Sequence, residues 1–124
     1  MANILIIDDD KSILRLLEFT LQRAGHTVTT YSDGEEGLQQ AETKKPDLIV
    51  VDVMMPKMNG FEVCNIIKND LTMKGTYIIM LTAKGQELDK QKAKTVGADF
   101  YITKPFNIHE IKKKVSEIFN TSLK

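Results

Sequence analysis

Short apolar runs alternate with longer amphipathic stretches along the chain. The runs have the length of β-strands, and three of them are apolar at consecutive positions. Continuous apolar runs are typical of parallel strands that helices cover on both faces of a sheet. The pattern therefore predicts five strands, at residues 4–7, 27–31, 48–51, 77–81 and 100–102.

The first three stretches between these runs carry helix signals. Residues 12–24 place isoleucine and leucine side chains along one helical face, and Gly25 follows as a stop signal. Ser32 or Asp33 is in position to cap a second helix, which has acids in its first turn. The apolar spacing of residues 60–69 predicts a third helix, although the pattern does not fix its first residue.

The last two stretches predict helices of unequal strength. Residues 87–96 carry only a thin apolar stripe of Leu88, Ala93 and Val96, so we expect a loosely held fourth helix. Asn107 and Glu110 have the spacing of a capping box, with asparagine as the cap, and apolar residues then repeat at helical steps. A well-packed fifth helix is expected there.

Five strand-and-helix repeats with short connections predict a doubly wound α/β fold. Each crossover between parallel strands must be right-handed and carries a helix, so the helices cover both faces of one parallel sheet. A chain of 124 residues with 42% hydrophobic content can bury about two-thirds of its unfolded surface. We therefore expect a single domain spanning residues 1–124.

Charge and composition exclude several classes of function. Lysine plus arginine and aspartate plus glutamate both number 17, so no overall positive field favours direct nucleic-acid binding. No apolar run is long enough to predict membrane insertion, and the N-terminal residues lack an export signal. The single cysteine, Cys64, has apolar neighbours and is expected to be a buried, inert thiol, which suits a reducing compartment. These features predict a cytoplasmic protein.

Ionisable and hydroxyl side chains collect where the predicted strands end. They are Asp8, Asp9, Asp52, Thr82 and Lys104. In open parallel sheets, ligands bind beyond the carboxyl ends of the strands. Two carboxylates about 4 Å apart repel by roughly 4 kcal/mol at an effective dielectric of about 20, so clustered acids need protonation, a lysine or a metal ion. Oxygen ligands favour a hard cation, and the cluster therefore predicts a Mg²⁺ site.

These residue types also predict phosphoryl chemistry. A carboxylate beside Mg²⁺ can attack phosphorus, and Asp52 is the best candidate because it alone closes a central, fully apolar strand. Asp8 and Asp9 share one strand end and suit paired metal ligands. Thr82 could donate a hydrogen bond to a phosphoryl oxygen, and Lys104 could pair with the carboxylate and then with phosphate. The additional acid Asp10 is expected to be solvated or to cap the first helix.

Four segments of the sequence resemble the receiver domains of two-component response regulators, including single-domain chemotaxis and sporulation phosphorelay regulators. The segments are IIDDD, DLIVVDVMMPKMNGFEV, IIMLTAKG and GADFYITKPF. The resemblance implies a flavodoxin-like fold with strand order 2-1-3-4-5. It also implies that Asp52 accepts phosphate from the phosphohistidine of a histidine kinase or histidine phosphotransfer protein.

The same resemblance assigns further roles to individual residues. It implies that Asp9 binds Mg²⁺ directly, that Asp8 assists through water and that the backbone carbonyl of Met54 completes the protein ligands. A cis peptide bond is expected between Lys104 and Pro105. Met54 and Lys84 lie at positions that tune how quickly water removes the phosphate in similar domains.

The resemblance also implies a conformational switch. Phosphate at Asp52 would draw the hydroxyl of Thr82 inward, the ring of Tyr101 would turn into the vacated space, and the fourth helix would repack. The output face would comprise the fourth helix, fifth strand and fifth helix, and would contact an unknown downstream protein or output domain. The domain would act as a monomer or a phosphorylation-dependent dimer and would catalyse its own phosphorylation and hydrolysis without turning over an outside substrate.

Three alternative functions fit the pattern less well. A phosphohydrolase with an aspartyl-phosphate intermediate needs a second acid two residues after the nucleophile, where this chain has Met54. A flavin-binding module needs a phosphate-cradling loop after the first strand, where the acids would repel phosphate. A phosphorylation-independent interaction module would not need the complete set of acids, threonine and lysine.

Overall fold

A five-stranded parallel sheet forms the centre of the computed structural model, which describes residues 2–83, Gly85 and residues 87–119. The strands are β1 (Asn3–Ile7), β2 (Thr27–Tyr31), β3 (Leu48–Asp52), β4 (Tyr77–Ala83) and β5 (Phe100–Lys104). Their order across the sheet is β2-β1-β3-β4-β5, and every neighbouring pair is parallel. The predicted doubly wound fold and strand order are confirmed.

In the described part of the chain, five α-helices cover both faces of the sheet, four of them between strands and the last after β5. They are α1 (Lys11–Arg23), α2 (Gly34–Lys44), α3 (Gly60–Lys68), α4 (Glu87–Thr95) and α5 (Ile108–Phe119). A short 3₁₀ helix, Leu71–Met73, precedes β4 and was not predicted. Buried side chains of α1 and α5 belong to one core cluster, and those of α2, α3 and α4 belong to the other.

Alternation along β3 shows why the central strands are apolar throughout. Leu48 and Val50 pack in the cluster with α1 and α5, whereas Ile49 and Val51 pack in the cluster on the opposite face. All four side chains are fully buried. Burying each such side chain contributes about 1.5–3 kcal/mol, so both sheet faces stabilise the fold. This rigid sheet positions the residues that follow its strand ends.

Acidic or amide side chains cap the N-termini of the first three helices. Asp10 caps α1 and accepts the backbone N–H of Ser12 at 2.9 Å, which confirms the capping role expected for this acid. Asp33, and not Ser32, caps α2. Asn59 begins α3 in a reciprocal capping box with Glu62, at a position that the sequence pattern left open. Such caps contribute about 1 kcal/mol each.

The start of α5 is capped by Asn107, the residue predicted for that role. Its side-chain oxygen accepts the backbone N–H of His109 at 2.8 Å. The backbone N–H of Glu110 donates to the Asn107 carbonyl oxygen at 2.9 Å. The capping-box spacing predicted the cap residue correctly, but in that motif the side chain accepts from the third helical residue, Glu110, whereas here it accepts from the second, His109.

The sequence predicts a loosely held fourth helix, and α4 does bury few side chains. Ala93 is fully buried, but Leu88, which was assigned to the apolar stripe, is 76% exposed. The assignment of Leu88 to the buried face is therefore wrong. A helix rotates about 100° per residue, so when Ala93 points into the core, a residue five positions earlier lies well away from the same direction.

Cys64 of α3 is fully buried, as predicted. Its thiol donates a long hydrogen bond to the carbonyl oxygen of Val96 at 3.6 Å. Burial raises the pKa of the thiol to about 11, so the sulfur is protonated and unreactive at neutral pH. Among the described residues, no helix combines the length and the apolar character needed to span a membrane.

Candidate functional site

The predicted site residues meet at the edge formed by the carboxyl ends of the strands. Asp8 directly follows β1, Asp52 ends β3, Thr82 lies near the end of β4 and Lys104 ends β5. The registers of the parallel strand pairs place these ends side by side. Four segments that are distant in the sequence thus contribute to one crevice, in agreement with the position expected for an open α/β sheet.

Three carboxylates gather at this edge. Asp8, Asp9 and Asp52 each offer one oxygen atom, and these oxygens all lie within 4.8 Å of one another. The side chains of Asp8 and Asp52 are buried, whereas Asp9 is exposed. The cluster is therefore anchored in the protein but open to solvent on the side of Asp9.

Lys104 bridges the two buried carboxylates. Its ammonium nitrogen lies 2.9 Å from Oδ2 of Asp8 and 3.1 Å from Oδ1 of Asp52. The other oxygen of Asp8 accepts the backbone N–H of Asp10 at 2.9 Å. Both oxygens of Asp8 thus have protein partners. One ammonium cannot balance three carboxylates, so the fully ionised site keeps a surplus of negative charge.

Burial and crowding perturb the titration of this group. Burial, followed by the negative charge of Asp8, raises the pKa of Asp52 to about 6 even though Lys104 acts in the opposite direction. Burial also raises the pKa of Asp8, against the opposing hydrogen bonds from Asp10 and Lys104. Burial disfavours the Lys104 ammonium, but its hydrogen bond to Asp8 and the charge of Asp52 outweigh this and raise its pKa.

The residues present fit a hard divalent cation. The donors are all oxygens, two of them are held in place by the fold, and burial together with the charge of Asp8 raises the pKa of Asp52. Mg²⁺ prefers carboxylate ligands and keeps several waters, which the open side at Asp9 can admit. The hydroxyl of Thr82 adds a second indication, because its buried oxygen has no hydrogen-bond partner among the described residues. A buried hydroxyl without a protein partner normally contacts a ligand, an ion or a water molecule.

Met54 lies two residues beyond Asp52, at the start of the connection to α3. Its side chain is 68% exposed. The preceding residue, Val53, is fixed by two backbone hydrogen bonds, one to the carbonyl of Leu81 and one from the N–H of Gly60, both at 3.0 Å. At the opposite side of the site, the Lys104–Pro105 peptide bond is cis.

Tyr101 lies at the surface of β5 and is 37% exposed. Its ring stacks on that of Phe100, with centroids 6.3 Å apart, and the ammonium of Lys90 in α4 lies 5.6 Å from the centroid of the Tyr101 ring. The tyrosine therefore connects β5 to the weakly packed α4. Lys84, for which a role in phosphate lifetime was predicted, lies outside the described residues.

Two backbone contributions to the site were not predicted from the sequence. The amide of Asp10 orients Asp8, although Asp10 was considered only for its side chain. Gly60 packs so closely on β3 that an added Cβ would collide with the carbonyl oxygen of Asp52. The glycine beside Asn59 was a visible signal for a tight approach, but its partner is known only from the three-dimensional packing.

A family model and a curated relative match nearly the whole chain. The model is described as the response regulator receiver domain and matches residues 4–116. The alkaline phosphatase synthesis transcriptional regulatory protein PhoP of Bacillus subtilis is 50% identical over 119 residues, which cover 96% of this chain and 49% of that protein. The chain therefore spans about half the length of this relative.

Solved structures show the same fold. The chemotaxis response regulator CheY4 of Vibrio cholerae has a TM-score of 0.88 and 39% identity, with 95% of this chain and 98% of that chain covered. The receiver domain of a sensor histidine kinase from Pseudomonas aeruginosa has a TM-score of 0.84 and 26% identity, with coverage of 94% and 95%. The latter structure is described as having a magnesium ion coordinated in the active site cleft.

Proposed function

The chain belongs to the response regulator receiver domain family, and from this premise we propose that it is a Mg²⁺-dependent phosphoacceptor switch with Asp52 as the acceptor. Receivers of this family take phosphate from histidine kinases and act on downstream partners. The observation that carries the proposal is the cluster of Asp8, Asp9 and Asp52, in which Asp8 and Asp52 also pair with the ammonium of Lys104. Residues 1–124 would form one receiver domain.

The hydrogen bonds within the cluster support separate roles for the acids. Asp9 is exposed and would bind Mg²⁺ directly, together with Asp52 and the backbone carbonyl of Met54. Asp8 already accepts hydrogen bonds at both oxygens, which supports a contact with the ion through water. When bound, the ion offsets negative charge on the carboxylates and on the phosphoryl oxygens.

Phosphoryl transfer would then proceed at Asp52. One carboxylate oxygen attacks phosphorus, the bond from phosphorus to the donor imidazole nitrogen breaks, and the imidazole keeps that electron pair and later takes a proton from water. A pKa of about 6 leaves Asp52 ionised at pH 7.5 and more basic than an ordinary aspartate. Lys104 and the hydroxyl of Thr82, which has no partner among the described residues, would donate to the transferring oxygens.

A protein donor fits the surroundings of the site. An apolar groove of about 460 Å³ lies beside Lys104 and is lined by Ile13, Leu16, Ala83, Lys104, Pro105 and Phe106. The side chain of Leu16 is 46% exposed. An apolar surface next to the acceptor supports docking of the histidine kinase or histidine phosphotransfer protein that we expect as donor.

The switch would act through Thr82, Tyr101 and α4. A phosphoryl oxygen that draws the Thr82 hydroxyl inward would open space for the Tyr101 ring. Turning of that ring would separate it from Lys90 and change the packing of α4, which buries little apolar surface. The face formed by α4, β5 and α5 would thereby change its affinity for a downstream protein or an output domain.

Labelling by a small phosphodonor tests the assignment of Asp52. The protein is incubated with acetyl phosphate and Mg²⁺, and its intact mass is compared with that of Asp52→Asn. The wild type should gain one phosphoryl group, and neither the variant nor the wild type in EDTA should gain one. Equal labelling of wild type and Asp52→Asn, or of neither, would reject Asp52 as the acceptor.

A further inference from the structure

Gly34, the first residue of α2, packs against the segment that connects β3 to α3. We call this segment, residues 53–59, the β3–α3 loop. A Cβ atom at Gly34 would stand 2.5 Å from the carbonyl oxygen of Met58 and 3.3 Å from Cε of Met55. The first distance is far below van der Waals contact, and its partner is a backbone atom that has no alternative rotamer. Only glycine allows α2 to approach the loop this closely.

Other contacts leave the β3–α3 loop little room to move aside. Its first residue, Val53, is tied to Leu81 and to Gly60 by backbone hydrogen bonds of 3.0 Å. Near its centre, the N–H of Met58 donates to the carbonyl oxygen of Pro56 at 2.8 Å, around Lys57 with φ +68°. This combination is a γ-turn, a tight and strained conformation for a residue with a side chain.

Met54 lies inside this fastened loop. Its own side chain is 68% exposed and provides little anchoring, but the next residue, Met55, is buried in the core and faces Gly34. The backbone around Met54 is therefore held by Val53 on one side and by Met55 on the other. A displacement of Met55 and Met58 by α2 would be transmitted to the carbonyl of Met54, because only backbone separates them.

We propose that Gly34 is a positioning residue for the Mg²⁺ site, although it lies on a different helix and contributes no ligand. By allowing α2 to rest on Met55 and Met58, it keeps the β3–α3 loop where Met54 can present its carbonyl oxygen to the ion. This inference rests on the proposed function, since it assumes that Mg²⁺ binds at Asp9, Asp52 and Met54.

The test compares Gly34→Ala with two control variants. Ala41→Gly weakens the same helix at a fully buried position without adding an atom toward the loop. Gly75→Ala adds the same carbon where no heavy atom lies within 4 Å. The Mg²⁺ dissociation constant is measured by calorimetric titration, and the Tm is measured with and without Mg²⁺, so neither readout depends on phosphorylation.

Gly34→Ala should raise the Mg²⁺ dissociation constant about tenfold, as expected when a group that orients a metal ligand is displaced. The Tm increase caused by Mg²⁺ should shrink accordingly. Both control variants should keep the wild-type dissociation constant, even where Ala41→Gly lowers the Tm. A wild-type dissociation constant for Gly34→Ala, or an equal loss of affinity in Ala41→Gly, would overturn the inference.

A second pair of variants keeps the test informative if Gly34→Ala alone does not fold. Lys57→Gly relieves the positive φ in the β3–α3 loop and should restore stability to Gly34→Ala. The double variant should fold but still bind Mg²⁺ more weakly than Lys57→Gly alone. Equal affinity of these two proteins, or failure of the double variant to fold, would make Gly34 a purely structural residue and reject the inference. Absence of Mg²⁺ binding by the wild type would instead reject the proposed function.

Discussion

At the scale of single residues, the ionised carboxylate of Asp52 destabilises the folded state and thereby favours binding of a cation. Burial and the neighbouring charge of Asp8 raise its pKa from 3.8 to about 6. The folded state thus binds a proton more tightly than the unfolded state does. The resulting contribution to stability is fully present below pH 3.8 and is lost as the pH rises through about 6. At neutral pH the fold retains a carboxylate that favours a bound cation.

Asp52→Asn should therefore stabilise the protein when no divalent cation is present. In EDTA at pH 7.5, we expect the free energy of unfolding to rise by about 1–3 kcal/mol, because the amide carries no charge into the crowded site. The advantage should vanish at about pH 3, below the unfolded-state pKa of 3.8, where the wild-type carboxyl is largely protonated in both states. Urea unfolding at the two pH values measures both quantities. A variant that is less stable than wild type at pH 7.5 would contradict the assigned electrostatics.

At the scale of secondary-structure elements, α4 differs from the helices around it. Leu14, Leu17 and Leu21 anchor α1 in the core. Among the side chains described for α4, only that of Ala93 is buried. Less buried apolar surface means a lower free energy of local opening. Within the proposed output face, α4 is thus the element that we expect to change its packing at least cost.

Amide hydrogen exchange should detect this difference directly. In the unphosphorylated protein, amides in the last two turns of α4 should exchange faster than those at the centre of α1, and phosphorylation should change α4 more than α1. Exchange is followed by mass spectrometry on wild type and Asp52→Asn after treatment with acetyl phosphate and Mg²⁺. Protection of α4 equal to that of α1, with no response to phosphorylation, would exclude α4 as the switching element.

At the scale of the whole molecule, the strand pattern predicted the sheet because both faces are covered and the apolar runs are continuous. The same pattern located Asp52, Thr82 and Lys104, since strand ends are visible in a sequence and parallel strands bring them together. Contacts between backbone atoms, in contrast, are not visible in the sequence pattern. The amide that orients Asp8 and the approach of Gly34 to the carbonyl of Met58 depend on how helices and loops pack in three dimensions.

Side-chain orientation on weak helices was also beyond the sequence pattern. Leu88 was expected to help bury α4, but it is exposed because a stripe of three apolar residues does not define one helical face. Tyr101 belongs to the segment GADFYITKPF that the sequence singles out, but the contact of its ring with Lys90 joins β5 to α4. Such contacts depend on the packing of α4 on β5 and not on local spacing.

The proposed requirement for a divalent cation follows from the gathering of carboxylates from separate segments at one edge of the sheet. Calorimetric titration of the wild type with Mg²⁺ at pH 7.5 tests it most directly, with Asp9→Asn as the matched variant because Asp9 is exposed and its loss should leave the fold intact. We predict saturable binding of one ion by the wild type and affinity at least about tenfold weaker in the variant. Absence of saturable binding by the wild type, or equal affinity of the two proteins, would show that these carboxylates do not form a Mg²⁺ site.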